Sequence, residues 1–221
     1  MLLHKQSVIV KPSHVMEAVL KALRQQLQRH LQSGQPVVLL ISDSNGRRID
    51  LGRLKPNSRV IKFDRYTTTE AIGNIPVVDD PNSVTDIIFQ VGLNDTRRGL
   101  STDWIGENIL EMQMRYNRVY KSARQHLTGL PPLSDAQVQV NGMLNRLAAH
   151  TGSNLVSTKH FRDRNTGQMR SNLMNGIHYN DVGVRILAKE MKKSLFSEAN
   201  LGNVCLTLLN NMAQLHENHV P

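Results

Sequence analysis

The chain has 221 residues, which is long enough to bury one hydrophobic core. With 39% hydrophobic and 20% charged residues, its composition is typical of a folded globular protein. No stretch approaches the ~18 consecutive apolar residues of a membrane helix. The single cysteine, Cys205, excludes an internal disulfide, and the N-terminal segment has no uninterrupted apolar region. We therefore expect an intracellular protein, cytoplasmic or nuclear, without a signal peptide or a transmembrane segment.

The charge balance is strongly basic. Lys and Arg number 27 against 18 Asp and Glu, which gives a formal net charge of +9 at pH 7. Such an excess favours phosphate-rich partners, nucleic acid among them. Only 4% of the residues are aromatic, however, and base stacking needs aromatic side chains. A solvated basic surface with no specific partner is therefore an equal alternative.

The first predicted elements are a short strand around Val8–Val10 and an amphipathic helix over residues 13–33. The apolar face of this helix favours packing on its own domain over an oligomer contact. Next comes the run Val37–Ile41, which is bounded by Gly34 and Pro36 before it and by small polar residues after it. A short apolar run between turn residues predicts a strand buried on both faces, at the centre of a parallel sheet.

The remaining chain alternates between predicted strands and helices. Strands are predicted over residues 59–63, 85–91, 127–130 and 154–157, and helices over residues 103–126, from Ser134 onward and over 181–196. This alternation predicts an α/β protein, a three-layer α/β/α sandwich with a roughly five-stranded parallel sheet of the flavodoxin-like kind. We expect one domain over residues 1–199 with its core at 36–196, followed by a tail or docked helix at 200–221.

Three polar clusters follow strands or precede the last helix, where ligands bind in open α/β sheets. They read Ser42-Asp43-Ser44-Asn45, Gly92-Leu93-Asn94-Asp95 and Asn175-Gly176-Ile177-His178. Their order and spacing resemble the SGNH/GDSL hydrolase superfamily over residues 36–196. The blocks of that superfamily are a strand ending in Gly-Asp-Ser, a strand ending in Gly-x-Asn-Asp, and Asp-x-x-His before the final helix. The resemblance implies the SGNH hydrolase fold.

The resemblance also implies a serine esterase or deacetylase that acts on a small acyl ester without a cofactor. Ser44 would attack the acyl carbonyl, and His178 would be the base that a serine nucleophile requires. The oxyanion would be held by the backbone N–H of Ser44, a backbone N–H at Tyr66 and the side-chain amide of Asn94. Gly92 would keep the turn before Asn94 open.

Three residues depart from the family pattern. Ser42 and Tyr66 stand where glycines are usual, and Asn175 stands where the family has the aspartate that orients the catalytic histidine. In a serine protease, exchanging that aspartate for asparagine cost roughly 10⁴ in kcat. Asp181 and Asp95 are candidate substitutes for the missing carboxylate. The alternative is a catalytically degenerate module that binds nucleic acid or a protein partner.

A basic loop, residues 159–170, precedes the histidine motif. Its candidate contacts to phosphate or an acidic substrate are Lys159, Arg162, Arg164 and Arg170. A solvated loop is the alternative. His178 and Asp181 have no third residue at a spacing typical of a metal site, so we expect no metal. Modules resembling SGNH hydrolases also occur in first open reading frames of some retrotransposons, where both hydrolysis and nucleic-acid binding would fit.

Overall fold

The computed structural model describes residues 34–197, in which strands and helices alternate. The strands are β1 (Val37–Ser42), β2 (Arg59–Asp64), β3 (Val84–Gln90), β4 (Arg124–Thr128), β5 (Asn154–Val156), β6 (Met174–Asn175) and β7 (His178–Tyr179). The α-helices are α1 (Thr68–Gly73), α2 (Leu93–Arg97), α3 (Thr102–Val119), α4 (Asp135–Thr151) and α5 (Asp181–Leu195). The strand predicted at Val8–Val10, the helix predicted at 13–33 and the segment 200–221 lie outside the described residues. The predicted division of the chain into domains therefore stays a prediction.

The main sheet has five parallel strands in the order β2-β1-β3-β4-β5. All six residues of β1 are buried, which confirms the strand predicted from its apolar run. The chain moves outward from β1 to β2 and then crosses back to β3 on the other side of β1. This reversal makes the carboxyl ends of β1 and β3 the topological switch point, where ligands bind in sheets of this kind.

Alternate residues of β1 enter two separate cores. Leu39 and Ile41 belong to the core shared with α1, α3 and α4, whereas Val38 and Leu40 belong to the core shared with α5. Fully burying such a side chain contributes about 1.5–3 kcal/mol, so both faces hold helices firmly. The predicted three-layer α/β/α sandwich is thereby confirmed. Among the described residues, no helix combines the length and the apolarity needed to cross a membrane.

The prediction was wrong about where α3 ends and β4 begins. The helix stops at Val119 instead of residue 126, and the strand covers Arg124–Thr128 instead of 127–130. The first three residues of this strand are Arg, Gln and His, whose polarity hides a buried strand from a search for apolar runs. His126 is buried and Arg124 is half-buried, which is possible because both reach the carboxylate of Asp86 on β3.

Candidate active site

The nucleophile candidate Ser44 lies directly beyond the carboxyl end of β1. The strand ends at Ser42, and a short 3-10 turn covers Ser44–Gly46. The carboxylate of Asp43 caps this turn by accepting a hydrogen bond from the Asn45 N–H at 2.8 Å. Gly46 is required here because a Cβ at this position would lie 1.8 Å from the Ser42 Oγ. The turn leaves Ser44 partly exposed, next to fully buried residues.

Ser42, which replaces the usual glycine of the first block, is fully buried. Its hydroxyl has two acceptors within reach, the Asp43 carbonyl oxygen at 2.7 Å and the Gln90 Oε1 at 3.0 Å. Gln90 also donates to the Asp43 carboxylate at 2.9 Å. A serine fits at this position because Gln90, which belongs to none of the sequence motifs, satisfies its hydroxyl.

His178 is carried by a small hairpin formed by β6 and β7. Asn175 and His178 are directly opposite each other in this hairpin, and Gly176 begins the two-residue loop with φ +63°. The His178 Nδ1 lies 3.3 Å from the Ser44 Oγ, so residues 134 positions apart meet at the switch point. This separation is slightly longer than a tight hydrogen bond and is common in catalytic pairs without a bound substrate.

One contact joins the hairpin to the turn that carries Ser44, and a second joins the residues that follow each of them. The backbone N–H of Tyr179 donates to the Asn45 Oδ1 at 3.0 Å, and this bond is buried. The Arg48 guanidinium pairs with the Asp181 carboxylate at 3.0 Å, and both side chains are exposed. Asn45 follows Ser44 and Tyr179 follows His178, so the buried bond fixes Ser44 and His178 relative to each other. The only sequence signal for this contact of Asn45 was that a polar residue directly follows Ser44.

No carboxylate among the described residues forms a hydrogen bond with His178. The side chain of Asn175 shares a face of the hairpin with His178 but forms no hydrogen bond with it in the described part of the chain. Of the two candidate substitutes, Asp181 pairs with Arg48, and Asp95 accepts a hydrogen bond from the Thr68 N–H at 3.0 Å. The geometry is therefore that of a Ser–His pair.

The candidate oxyanion donors have different partners. The backbone N–H of Ser44 has no acceptor among residues 34–197. The side-chain amide of Asn94 donates one N–H to the Tyr66 carbonyl at 2.8 Å, which leaves its second N–H available. The N–H of Tyr66 itself donates to the Glu70 carboxylate at 2.8 Å. Gly92 adopts φ +109° immediately before Asn94, a conformation that favours glycine.

Several buried polar groups lie close to the Ser–His pair without a complete set of partners. Burial raises the pKa of Asp43 to about 6, against the opposing effect of its hydrogen bonds from Asn45 and Gln90. Burial also raises the pKa values of Asp95 and Tyr179. Within the described residues, the atoms that lack a partner include Asp43 Oδ2, Asn45 Nδ2, Asp95 Oδ1 and the Tyr179 hydroxyl. Such incomplete pairing is common at functional sites.

The basic loop packs beside the hairpin but makes no hydrogen bond or ion pair with the Ser–His pair. Its Phe161 ring lies 4.6 Å from the Tyr179 ring, between centroids. Arg162 donates to the Gly167 carbonyl at 2.8 Å, within the loop itself. The other candidate phosphate contacts, Lys159, Arg164 and Arg170, are exposed. In residues 34–197, no group of three or more His, Cys, Asp and Glu residues is arranged to hold a metal ion.

Solved structures similar to this chain share its architecture. A protein from Streptococcus pneumonia superposes with a TM-score of 0.61 at 18% identity, over 83% of this chain and 100% of that one. A lipolytic protein of the G-D-S-L family from Veillonella parvula gives 0.56 at 17% identity, over 70% and 94% of the two chains. The psychrotrophic esterase EstA from Pseudoalteromonas sp. gives 0.53 at 16% identity, over 72% and 96%. The chain has the fold of the GDSL lipolytic proteins.

The predicted SGNH/GDSL resemblance is thereby confirmed at the level of the fold. No family model and no curated protein matches the sequence itself. In the shared fold, the site of this chain lies where the strand order reverses, between the ends of β1 and β3.

Proposed function

We propose that this protein is a serine esterase of the SGNH type that hydrolyses a small acyl ester. The observation that carries the proposal is the 3.3 Å separation between the Ser44 Oγ and the His178 Nδ1, at the switch point of a GDSL-type fold. A partly exposed serine beside an exposed histidine is accessible to substrate, and the histidine supplies the base that the hydroxyl needs.

The reaction has two steps. In the first, the Ser44 Oγ attacks the acyl carbonyl while the His178 Nδ1 accepts its proton, and the protonated ring then donates that proton to the leaving alcohol. The Ser44 N–H and the free N–H of the Asn94 amide stabilise the oxyanion of the tetrahedral intermediate. In the second step, His178 removes a proton from water, and the resulting hydroxide attacks the acyl carbonyl. The acyl–Oγ bond then breaks, the protonated His178 returns its proton to the Ser44 Oγ, and the acid is released.

The missing carboxylate predicts a slow enzyme. In serine hydrolases the triad acid fixes the tautomer of the histidine and stabilises the imidazolium that forms during the reaction. Here Asn175 offers no countercharge, and the carboxylates of Asp181 and Asp95 have other partners. Oxyanion stabilisation and substrate positioning would then carry most of the rate enhancement, as they do in triad mutants.

Covalent labelling tests the assignment of Ser44. The Pseudoalteromonas esterase of the same fold was solved in a form inhibited by monoethylphosphonate. We expect a fluorophosphonate to label this protein at Ser44 and an activated ester such as para-nitrophenyl acetate to be hydrolysed. Ser44→Ala should abolish both. The matched control is Ser194→Ala, because Ser194 also contacts a histidine, His126, but is buried. Loss of labelling in the Ser194 variant only, or no labelling of any serine, would contradict the proposal.

Restoring the carboxylate tests the role of position 175. Asn175→Asp places an acid on the same face of the hairpin as His178, so we expect kcat to rise by roughly tenfold or more. Steady-state kinetics on para-nitrophenyl acetate measure this change. The control is Asn172→Asp, which adds the same charge at an exposed position nearby. An unchanged rate in Asn175→Asp would show that another group already orients His178.

A binding module without hydrolysis is the second candidate, and the absence of a carboxylate bonded to His178 among the described residues favours it. With a net charge of +9, such a module would engage nucleic acid or an acidic protein partner. We expect this alternative to show no labelling of Ser44 and a salt-dependent affinity for RNA or DNA. Turnover that is lost in Ser44→Ala excludes it as the sole function.

A further inference from the structure

A cavity of about 380 Å³ lies at the same edge of the main sheet as Ser44, and its lining is cationic. Its walls are formed by Tyr66, Asn94, Arg97 and Arg98, with no acidic residue among them. This volume is at the small end of the range for ligand sites, roughly 300–1,000 Å³. The basic loop, residues 159–170, which was predicted to contact phosphate, does not line this cavity.

The residues that line the cavity follow the two strands on either side of β1. In the parallel register, Ser42 pairs with Asp64 on one side and with Gln90 on the other. Tyr66 and Asn94 follow those two strands, and the Asn94 amide donates to the Tyr66 carbonyl, so this bond joins the loops on either side of β1. Ser44 follows β1 itself, so the cavity and Ser44 lie at the same edge of the sheet.

The two arginines are available to a ligand. Both are exposed, and neither forms an ion pair with a carboxylate among the described residues. Asp95, the acidic residue nearest to them in the sequence, is buried and accepts the Thr68 N–H, and Glu70 accepts the Tyr66 N–H. A guanidinium binds carboxylate or phosphate oxygens through two parallel N–H donors, which a lysine cannot do.

We propose that Arg97 and Arg98 bind an anionic group, a carboxylate or a phosphate, carried by the ester substrate. The inference rests on the proposed esterase function and specifies its substrate class as anionic acyl esters. Tyr66, whose side chain is 49% exposed, supplies an aromatic wall beside the two guanidinium groups. Asn94 both lines the cavity and belongs to the proposed oxyanion hole, so anion binding places the ester carbonyl beside its donor.

Matched pairs of esters test the proposal on either side of the scissile bond. For the acyl side the pair is para-nitrophenyl hexanoate and mono-para-nitrophenyl adipate, which have equal chain length and differ in a terminal carboxylate. For the alcohol side the pair is phenyl acetate and para-acetoxyphenyl phosphate. We expect the anionic member of at least one pair to have the higher kcat/KM, by roughly tenfold, through a lower KM.

The double variant Arg97→Gln, Arg98→Gln should bring this kcat/KM ratio close to one. The matched control is Arg118→Gln, Arg146→Gln, which removes the same charge from exposed positions on α3 and α4 and should keep the ratio. A ratio near one in the unmodified protein for both pairs, or a ratio that survives in the Arg97, Arg98 variant, would overturn the proposal.

A binding measurement separates this proposal from the esterase assignment. Ser44→Ala protein is titrated calorimetrically with phenyl phosphate and with adipate, which requires no turnover. We expect binding of at least one of them, its loss when Arg97 and Arg98 are also replaced by Gln, and its weakening with added salt. Binding without any hydrolysis in the unmodified protein would exclude the esterase function and support the anion site. Hydrolysis without binding would support the esterase function and exclude the anion site.

Discussion

Two buried aspartates, one within β3 and one directly after β1, have opposite electrostatic environments. Asp86, on β3, is fully buried, and its carboxylate lies 2.6 Å from the Lys55 Nζ, 2.7 Å from the Arg124 Nη2 and 3.0 Å from the His126 Nε2. Burial alone would raise the pKa of Asp86, but the hydrogen bonds from His126 and Lys55 and the charges of Lys55 and Arg124 hold it well below its usual range. Asp86 is therefore an ionised and fully paired group.

Asp43, at the end of β1, is 1% exposed and has no cation bound to it among the described residues. Its hydrogen bonds come from the neutral Asn45 N–H and the Gln90 amide, and one carboxylate oxygen has no partner. Burial, with a smaller contribution from the nearby Asp95, therefore raises its pKa to about 6. The sheet thus leaves polar groups incompletely paired at the end where Ser44 lies.

Two Ser–His pairs in the structure also differ in burial and in whether a carboxylate contacts the histidine. His126 contacts the Ser194 Oγ at 2.8 Å through Nδ1 and Asp86 through Nε2, which are the distances expected of a Ser–His–Asp triad. All three residues are buried, however, so no substrate reaches them. Ser44 and His178 are further apart and lack an acid, but they are accessible. Accessibility, rather than distances alone, distinguishes the candidate active site from a structural network.

The largest effect is expected from removing the charge in the structural network. Asp86→Ala leaves His126 without its acceptor in a buried position and leaves two cations without a partner. We expect the free energy of unfolding to fall by about 4 kcal/mol, as when one member of a buried ion pair is removed. Urea denaturation measures it, with the exposed Asp79→Ala as control, where we expect a change within about 0.5 kcal/mol. Equal losses in the two variants would contradict the assigned role of Asp86.

The pH dependence of that loss has a defined sign. The pKa of Asp86 is lower in the folded protein than its ordinary value of 3.8, so its contribution to stability is present above pH 4 and disappears as the pH falls further. The stability difference between the unmodified protein and Asp86→Ala should therefore shrink below about pH 4. A difference that does not change between pH 7 and pH 3 would show that packing, and not charge, accounts for the loss.

The opposite sign is expected for Asp43→Asn. Because the folded-state pKa of about 6 exceeds the ordinary 3.8, ionising Asp43 destabilises the fold as the pH rises through 6. Asparagine cannot ionise, so the variant should gain stability relative to the unmodified protein between pH 4.5 and pH 7.5. The two pKa values differ by about 2 units, which corresponds to at most about 3 kcal/mol. Urea denaturation at both pH values measures the change, and Asp79→Asn is the control. A constant difference across this range would contradict the assignment.

The sequence predicted the fold well because most buried strands are apolar. The run Val37–Ile41 and the alternation of strands with helices were sufficient for the three-layer sandwich. The start of β4 was missed because the half-buried Arg124 and the buried His126 pair with Asp86, and the identity of a polar residue does not reveal a partner 38 or more positions away.

At the site, the short motifs that contain Ser44 and His178 were sufficient to propose that these two residues meet. The engagement of the Tyr66 N–H by Glu70 had a sequence signal, since Thr67 and Glu70 have the spacing of a capping box. The bond from the Tyr179 N–H to Asn45 had almost none, because every residue except proline has a backbone N–H. Contacts of this kind depend on how the hairpin packs against the turn, which only the folded chain determines.

The smallest effect, and the one specific to the candidate site, is expected from loosening the hairpin. Asn45→Ala removes the acceptor of the buried Tyr179 N–H, so the hairpin that carries His178 is no longer fixed relative to Ser44. We expect kcat to fall roughly tenfold with little change in KM, because the variant misplaces the base without touching the substrate cavity. The matched control is Arg48→Gln, which breaks the exposed ion pair between Arg48, two residues after the turn, and Asp181, two residues after the hairpin. An exposed pair contributes about 0.2–1 kcal/mol, so this control should change kcat by less than the Asn45 variant does. Equal losses in the two variants, or a rise in KM alone, would mean that Asn45 does not position His178.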